Sequence, residues 1–371
     1  MMKKLALGVL LAVVLLVAAY PLWKPAAKRI KWFVILTNIG QDSLRRWGLR
    51  SDQIGQSSAL QRPESALPAE LARIRAIYAQ YLRFADLQPE KFSGARVLEL
   101  GPGFNIGVPL LFAADGAEFA AGLDKFVPLQ DNPYYVKLYT ALRETLDERR
   151  RANFDQAIQL SYRVDLNPKK LGYVYGKDLT ECVQELGPGT YNVIVSNAVM
   201  EEIYDPTPLF VAQDALLRPG GVMIHRIDLR DYGMFSKYGF HPLEFLTVQD
   251  WAYRRMVEGS GQPNRRLVGY YRDTVTRLGY QADIFITSIL GVPGDLAQPK
   301  LRIQAGIDYS ERSIRLLDEI RGELLPRYRN LPDSELLVQG IALVARKVAA
   351  KKLCGPVHGR NGDRSLVLQE N

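Results

Sequence analysis

The stretch from Ala95 to Phe126 constrains the fold more than any other part of this sequence. It reads as an apolar run that ends in Glu99, a glycine-rich turn from Gly101 to Gly103, a helix-like segment, and a second apolar run that ends at Asp124. In parallel α/β sheets this order makes a crevice at the carboxyl ends of two neighbouring strands, where nucleotide-like ligands bind. We therefore predict that the stretch holds a nucleoside, and that the Asp124 carboxylate accepts hydrogen bonds from a ribose diol.

The rest of the chain alternates strand-like and helix-like segments. Short apolar or β-branched runs bounded by glycine or proline alternate with segments whose apolar residues recur at helical spacing. This alternation predicts an α/β fold, in which a doubly wound parallel sheet carries helices on both faces. The strands predicted after Asp124 are Gly172 to Tyr175, Tyr191 to Val195, Val222 to Ile227, Gln281 to Leu290 and Leu336 to Lys347.

The pattern also predicts how the chain is divided. We expect a membrane anchor and basic juxtamembrane segment over residues 1–31, a helical cap and linker over 32–91, the main domain over 92–350, and a disordered tail over 351–371. Residues 228–277 break the alternation and form an insert in the main domain. The helix predicted after Pro68 has an apolar stripe, which indicates either a cap packed on the sheet or a lid over the ligand.

The N-terminal run from Leu5 to Trp23 contains nineteen residues without a charge. A helix of that length, at about 1.5 Å per residue, crosses a bilayer. Between Lys24 and Arg50 seven basic residues face one acid, Asp42, which favours a cytoplasmic position and contact with an anionic lipid surface. We expect a single-pass anchor with the main domain in the cytoplasm, and the alternative is a signal peptide cleaved near residues 17–19.

Composition narrows the classes of protein. With 47% hydrophobic and 24% charged residues, the chain is typical of a globular protein. Two cysteines and three histidines give no disulfide framework and few ligands for zinc or iron, so we expect no metal. The net charge of +8 comes without a recognisable nucleic-acid module, so we expect no nucleic-acid partner. The oligomeric state stays open.

Several motifs make the chain resemble the class I S-adenosylmethionine-dependent methyltransferases over roughly residues 92–347. They are VLELGPG at 97–103, GLD at 122–124, YNVIVS at 191–196, LRPGG at 217–221 and the closing pair of strands. The resemblance implies a Rossmann-like seven-stranded sheet with an antiparallel last strand, and methyl transfer from S-adenosyl-L-methionine. The stretches 225–231 and 263–266 are similar to a bacterial subgroup associated with glycan modification.

Glu99 separates this cofactor from a dinucleotide. A pyrophosphate binds bare backbone N–H groups at a helix N-terminus and is repelled by a nearby carboxylate, whereas an ammonium or sulfonium is attracted to one. Glu99 therefore favours S-adenosylmethionine over a nicotinamide cofactor. For Asp178, the alternative to adenine binding is a helix N-cap. The resemblance and the strand order imply cofactor contacts from Glu99, Gly101, Pro102, Gly103, Asp124, Lys125, Asp178 and Asn197.

Catalysis and acceptor recognition are expected at the ends of the fourth and fifth strands and in the insert. The candidate bases are His225, Asp228 and Glu202. For His225 the alternative is a hydrogen-bonded side chain packed under a helix, and for Glu202 it is an acid in the first turn of a helix.

The insert supplies the candidate acceptor-binding residues, whose arginines and tyrosines suit a hydroxylated or anionic molecule. We expect methyl transfer to an oxygen of a glycan, a lipid-linked molecule or a small molecule. The alternative is a non-catalytic S-adenosylmethionine-binding membrane scaffold protein. The candidate acceptor-binding residues are Arg230, Tyr232, Arg265, Arg266 and Tyr270.

Overall fold

The computed structural model of the protein describes residues 28–47, 63–125, 133–259 and 261–348. The helices are α1 (Lys31–Arg46), α2 (Leu67–Ala85), α3 (Gly107–Ala114), α4 (Pro133–Glu144), α5 (Glu148–Ala157), α6 (Leu179–Leu186), α7 (Thr207–Leu216), α8 (Asp250–Val257), α9 (Val268–Arg277), α10 (Glu311–Arg321), α11 (Pro326–Arg329) and α12 (Asp333–Leu336). The strands are β1 (Arg96–Leu100), β2 (Phe119–Asp124), β3 (Ile158–Leu160), β4 (Val164–Leu166), β5 (Leu171–Tyr175), β6 (Tyr191–Asn197), β7 (Leu217–Asp228), β8 (Tyr280–Ile289) and β9 (Val338–Lys347).

Seven of these strands form one mixed sheet in the order β5-β2-β1-β6-β7-β9-β8. The pairs from β5 to β7 are parallel, and β9 is antiparallel to both β7 and β8. The order in which strands are added to the sheet therefore reverses at β1, whose neighbours are β2 on one side and β6 on the other. This topology confirms the predicted Rossmann-like sheet with an antiparallel last strand. Because β1, β2, β6 and β7 are parallel, their carboxyl ends lie at the same edge of the sheet.

Both faces of the sheet are covered by helices. Neighbouring residues of β1 and β6 belong to different apolar clusters, with Leu98 and Ile194 in one and Val97 and Val195 in the other. Because successive side chains of a strand point to opposite faces, this division shows a core on each side. Strands buried on both faces explain the nearly continuous apolar runs of the sequence.

Helix α2 caps the edge of the sheet near the glycine turn. Its Ile74, Tyr78 and Tyr81 are buried in the same cluster as α3, so the predicted apolar stripe faces the core. A Cβ at Gly107, the first residue of α3, would lie 2.5 Å from the Ile74 Cδ1 atom. Only glycine allows α3 and α2 to approach this closely.

The fold differs from the sequence prediction in several places; β7, for example, begins at Leu217 rather than at Val222. Helix α5 and the two-stranded β3–β4 hairpin lie between α4 and β5, where the sequence indicated no separate elements. The last strand begins at Val338 rather than Leu336, because α12 starts after Pro332 and ends at Leu336.

The proposed membrane anchor and tail concern residues at the two ends of the chain. The run from Leu5 to Trp23, residues 48–62 of the predicted cap and linker, and residues 351–371 lie outside the described residues. Across the ranges that are described, we find no helix with the length and apolar character needed to cross a bilayer.

Candidate active site

The glycine turn after β1 has a backbone that larger residues tolerate poorly. Gly101 and Gly103 have φ angles of +62° and +74°, and a Cβ on Gly101 would lie 2.4 Å from the Val199 Cγ2 atom. The Gly103 N–H donates to Asp124 Oδ2 over 2.8 Å, and the Gly101 N–H donates to the Leu123 carbonyl over 2.8 Å. The turn is therefore joined to the end of β2, as the predicted nucleoside crevice requires.

Glu99 lines a narrow cleft beside this turn. The residue is only 5% exposed, and burial raises the pKa of its carboxyl from 4.5 to about 8. Arg73 opposes this rise in pKa and Asp124 adds to it. Because a cation would restore the charged form of Glu99, the cleft suits the ammonium group of an amino-acid ligand. We call this the first cleft; Arg73, Glu99, Gly101, Asn105 and Asn197 are among the residues that line it.

Helix α2 contributes a residue to the first cleft that the sequence did not indicate. Arg73 lines the cleft, and its Nη2 donates to Glu70 Oε1 over 2.7 Å. The Asn105 amide donates to the same Glu70 oxygen over 2.7 Å, and its Oδ1 accepts from the Gly107 N–H over 2.9 Å. These contacts fasten the cap helix to the loop that starts α3. A usable sequence signal was Glu70 three residues before Arg73 on one helical face.

The other side of the glycine turn carries the predicted ribose and adenine residues. Asp124 is 8% exposed at the end of β2, and the next residue, Lys125, has its Nζ 3.7 Å from Asp178 Oδ1. The Asp178 N–H donates to Glu181 Oε2 over 3.1 Å, and Asp178 is the N-cap of α6. Asp178 thus lies at the N-cap that its alternative predicted, and it also lies next to Lys125 on the rim of the crevice.

The loop after β6 carries two carboxyls close to the cofactor crevice. Glu201 is buried, and its Oε1 accepts from the Asp228 N–H over 2.9 Å and from the Tyr232 hydroxyl over 2.8 Å. Burial raises the pKa of Glu201 to about 7. The side chain of Glu202 is exposed; desolvation of its carboxyl, followed by the Glu201 and Asp124 carboxylates, raises its pKa, and Lys125 opposes the rise. Glu202 therefore lies on the Asp124 side of the site.

A second cleft, of about 180 Å³, opens at the same sheet edge on the far side of Asn197. Its charged residues are already paired with one another. Arg226 contacts Asp295 and donates to Gln80 Oε1 over 2.8 Å, while Arg230 Nε donates to Asp228 Oδ1 over 2.8 Å. Asn197 lines both clefts and so lies at their junction. The polar residues of the second cleft are Asn197, Arg226, Asp228, Arg230, Thr287, Ser288, Asp295 and Gln339.

His225 does not reach either cleft. It has no exposed surface, its Nδ1 lies 2.7 Å from Ser196 Oγ, and its ring meets Phe210 of α7 edge-on. Burial lowers the pKa of His225 to about 3. The strand alternation places Arg226 and Asp228 on the cleft side instead. The arrangement matches the alternative of a histidine packed under a helix rather than that of a general base.

Three of the candidate acceptor-binding residues also lie away from the second cleft. Arg265 is buried, donates to the Val248 carbonyl over 2.6 Å, and stacks 3.8 Å above the Tyr253 ring. Arg266 stacks on Tyr270, whose hydroxyl lies 2.7 Å from Thr207 Oγ1 at the start of α7. These contacts hold the insert together. Arg265 in particular has its guanidinium committed to backbone carbonyls and Asp250.

Two further candidates, Tyr232 and Arg230, lie nearer to the sheet edge. Tyr232 has a φ of +53° and donates to Glu201, so it supports the loop after β6. Only Arg230, among the five candidate acceptor-binding residues, lines the second cleft. The sequence missed Arg226, Gln80 and Asp295 because they come from β7, α2 and the loop after β8, and no local pattern joins such distant segments.

The sheet order, the glycine turn beside a buried acid, and a second acid at the end of β2 together define a class I S-adenosylmethionine-dependent methyltransferase. A protein family described as a methyltransferase domain matches residues 70–266, which is more than half of the 371-residue chain. The chain belongs to this family and is an S-adenosylmethionine-dependent methyltransferase. Among curated proteins, none matches the sequence.

The chain is also similar to the solved structures of three methyltransferases. A putative S-adenosylmethionine-dependent methyltransferase from Listeria monocytogenes is 16% identical, with 74% of this chain and 99% of that chain covered and a TM-score of 0.38. An S-adenosylmethionine-dependent methyltransferase from Mesorhizobium loti is 14% identical, with 71% and 94% covered and a TM-score of 0.35. Phosphoethanolamine N-methyltransferase 2 from Haemonchus contortus, in complex with S-adenosyl-L-methionine, is 12% identical, with 73% and 52% covered and a TM-score of 0.37.

Proposed function

We propose that this methyltransferase acts on an oxygen of a hydroxylated acceptor, which is a glycan, a lipid-linked molecule or a small molecule. The observation that carries the proposal is the second cleft, which adjoins the first at Asn197 and is lined by hydroxyl, amide and charged groups. Its arginines are paired with Asp228 and Asp295, so an acceptor with neutral hydroxyls fits without displacing an ion pair. A bulky anionic acceptor would have to break those pairs.

The residues of the first cleft fit the amino-acid end of the cofactor. Glu99 is a buried acid whose charged form gains from an ammonium, and Arg73 provides a guanidinium for a carboxylate. We assign Asp124, at the end of β2 with Lys125 and Asp178 near it, to the ribose diol. S-Adenosylmethionine, when bound, supplies an activated methyl group, so the protein's main task is to align the acceptor oxygen.

Asp228 is the residue we assign to the acceptor hydroxyl. It lies in the second cleft, its own N–H is held by Glu201, and its carboxylate faces Arg230. The Asp228 carboxylate would accept a hydrogen bond from the acceptor hydroxyl and so orient its oxygen. It would take the hydroxyl proton as the methyl group is transferred. Glu202 is the remaining candidate base; it lies on the loop after β6, next to the buried Glu201.

The proposal is tested by release of S-adenosylhomocysteine in the presence of glycan, lipid-linked and small hydroxylated acceptors. We expect turnover with at least one hydroxylated acceptor, and its loss in Asp228→Asn with the cofactor Kd unchanged. Asp283→Asn is the matched control, because Asp283 is exposed near the start of β8, at the opposite edge of the sheet. Turnover only with amine or thiol acceptors would refute the assignment of an oxygen.

We further propose that the run from Leu5 to Trp23 anchors the enzyme as a single-pass protein, with the catalytic domain in the cytoplasm. The support is the length of the uncharged run and the basic residues that follow it. Membrane fractionation and protease protection of tagged full-length protein test this. Release of the domain into the soluble fraction, with loss of an N-terminal tag, would instead indicate a cleaved signal peptide.

A further inference from the structure

Helix α1 presents an apolar face to solvent. Trp32, Leu36 and Trp47 are 57%, 63% and 72% exposed, and Leu44 is also exposed. These positions are spaced four, eight and three residues apart, with the exposed Gly40 between Leu36 and Leu44, so they form one continuous helical stripe. We call Trp32, Leu36, Leu44 and Trp47 the outer face of α1.

The side of α1 that packs on the domain is the more polar one in its second half. Asp42 has no exposed surface, accepts from the Gly259 N–H over 2.8 Å, and pairs with Arg46 over 2.8 Å. Val34 and Ile35 are buried at the other end. A surface helix normally buries its apolar stripe and exposes its charges, and α1 buries a carboxylate while exposing two tryptophans. The outer face therefore has the composition of a covered surface.

Three properties of this region indicate what covers it. Of the five basic residues in 28–47, Lys28, Lys31 and Arg46 contact the domain, and Arg29 is exposed just before the helix, where it suits an anionic surface. Tryptophan at both ends of the helix is typical of the water–lipid interface. The uncharged run from Leu5 to Trp23 ends only eight residues before Lys31, where α1 begins. The adjoining helix α8 adds a further exposed tryptophan, Trp251.

We propose that the outer face of α1 lies flat on a lipid bilayer of anionic character. This goes beyond the proposed anchor, which would tether the domain but leave its orientation free. A helix of sixteen residues is about 24 Å long, too short to span the bilayer but suited to lie at its interface. The helix packs on α8 and is held at both ends by Lys31–Glu244 and Arg46–Glu258 pairs, so its contact fixes the orientation of the whole domain.

Tryptophan fluorescence measures this contact directly. The chain has four tryptophans, Trp23, Trp32, Trp47 and Trp251. Full-length variants that keep only Trp32 or only Trp47, with the others changed to Phe, are placed in vesicles of phosphatidylcholine and phosphatidylglycerol with brominated acyl chains. A helix that lies flat gives comparable quenching of Trp32 and Trp47. Quenching of only one of the two tryptophans would show that α1 is tilted from the bilayer plane, and quenching of neither would show that it does not touch the bilayer. Either result would overturn the proposal.

A charge variant and a remote control complete the test. Leu36→Glu with Leu44→Glu, in the variant that keeps Trp47, should abolish bromine quenching, whereas Tyr162→Glu should leave it unchanged. Tyr162 is 80% exposed on the β3–β4 hairpin, which packs in the cluster on the other face of the sheet. A sole tryptophan introduced by Tyr162→Trp should not be quenched, and equal quenching there would show non-specific adsorption. Concentration-dependent shielding of Trp47 from iodide without lipid would assign the face to a second copy and overturn the proposal.

Discussion

The two clefts at the carboxyl edge of the sheet balance charge in opposite ways. In the first cleft, burial dominates, and the pKa of Glu99 rises to about 8 despite the nearby Arg73. In the second cleft, Arg226 contacts Asp295 and Arg230 contacts Asp228, so cation and anion compensate each other. Under the proposed function, the first cleft therefore gains a cationic ligand, whereas the second, whose charges already pair, receives its ligand through hydrogen bonds.

This difference indicates how each cleft would select its ligand. A buried acid discriminates by charge, since an uncompensated carboxylate in a low-dielectric site is costly until a cation arrives. Paired groups on a polar cleft discriminate by the geometry of donors and acceptors. Substitutions in the first cleft should therefore change cofactor affinity strongly, and substitutions of paired charges in the second should change it little.

The largest effect is expected from Gly101→Ala. The left-handed backbone and the approach to Val199 together should destabilise the fold by about 2 to 4 kcal/mol. Urea unfolding measures the free energy. Gly103→Ala is the matched control, because its φ is also positive but no atom lies within 4 Å of an added Cβ. Equal losses in the two variants would show that Val199 does not restrict the turn.

Asp124→Ala should weaken cofactor binding by about 2 to 3 kcal/mol, or roughly 30- to 150-fold in Kd. The substitution removes the expected ribose acceptor and also the partner of the Gly103 N–H. Isothermal titration with S-adenosylmethionine measures the change. Asp165→Ala, on the β3–β4 hairpin, should bind as the unaltered protein does. An unaltered Kd in Asp124→Ala would remove Asp124 from the cofactor site.

Glu99 should make cofactor binding depend on pH. Its pKa in the free protein is raised to about 8, and a bound ammonium favours the carboxylate, so binding near pH 7 should release a proton. Affinity should then rise as pH increases towards 8, by up to about tenfold per pH unit. Titration in buffers of different ionisation enthalpy counts the proton. In Glu99→Gln both the proton release and the rise should disappear; their persistence would assign them to another group.

The sequence predicted the first cleft better than the second for a physical reason. Glu99, Gly101 and Gly103 lie close together in the sequence. Their backbone geometry depends on local steric rules, so the identity of each residue is enough to predict the turn. The alternating pattern predicted the parallel α/β sheet, and the family resemblance implied its seven strands and the antiparallel last strand. Arg73 was missed because its role depends on how α2 packs over the glycine turn.

The second cleft is assembled from distant segments, and the sequence could not pair them. Arg226 and Asp295 are 69 residues apart and contact each other only because β7 and the loop after β8 meet at one edge. Arg265 illustrates the opposite error, since an arginine in an insert suggested a ligand contact, and in the fold its guanidinium is buried against backbone carbonyls. Burial of this kind depends on tertiary packing.

The smallest effect, and the sharpest test of the comparison, is expected from Asp295→Asn. Its pair with Arg226 is partly exposed, so its loss should change the free energy of unfolding by about 1 kcal/mol or less and leave the cofactor Kd unaltered. The matched control is Asp333→Asn, which breaks a pair with Arg321 of nearly equal exposure, 26% and 49% against 25% and 47%. Freed from Asp295, Arg226 should attract anions, so inorganic phosphate should inhibit Asp295→Asn more than Asp333→Asn. Equal inhibition would mean that the Arg226–Asp295 pair does not keep anions out of the second cleft.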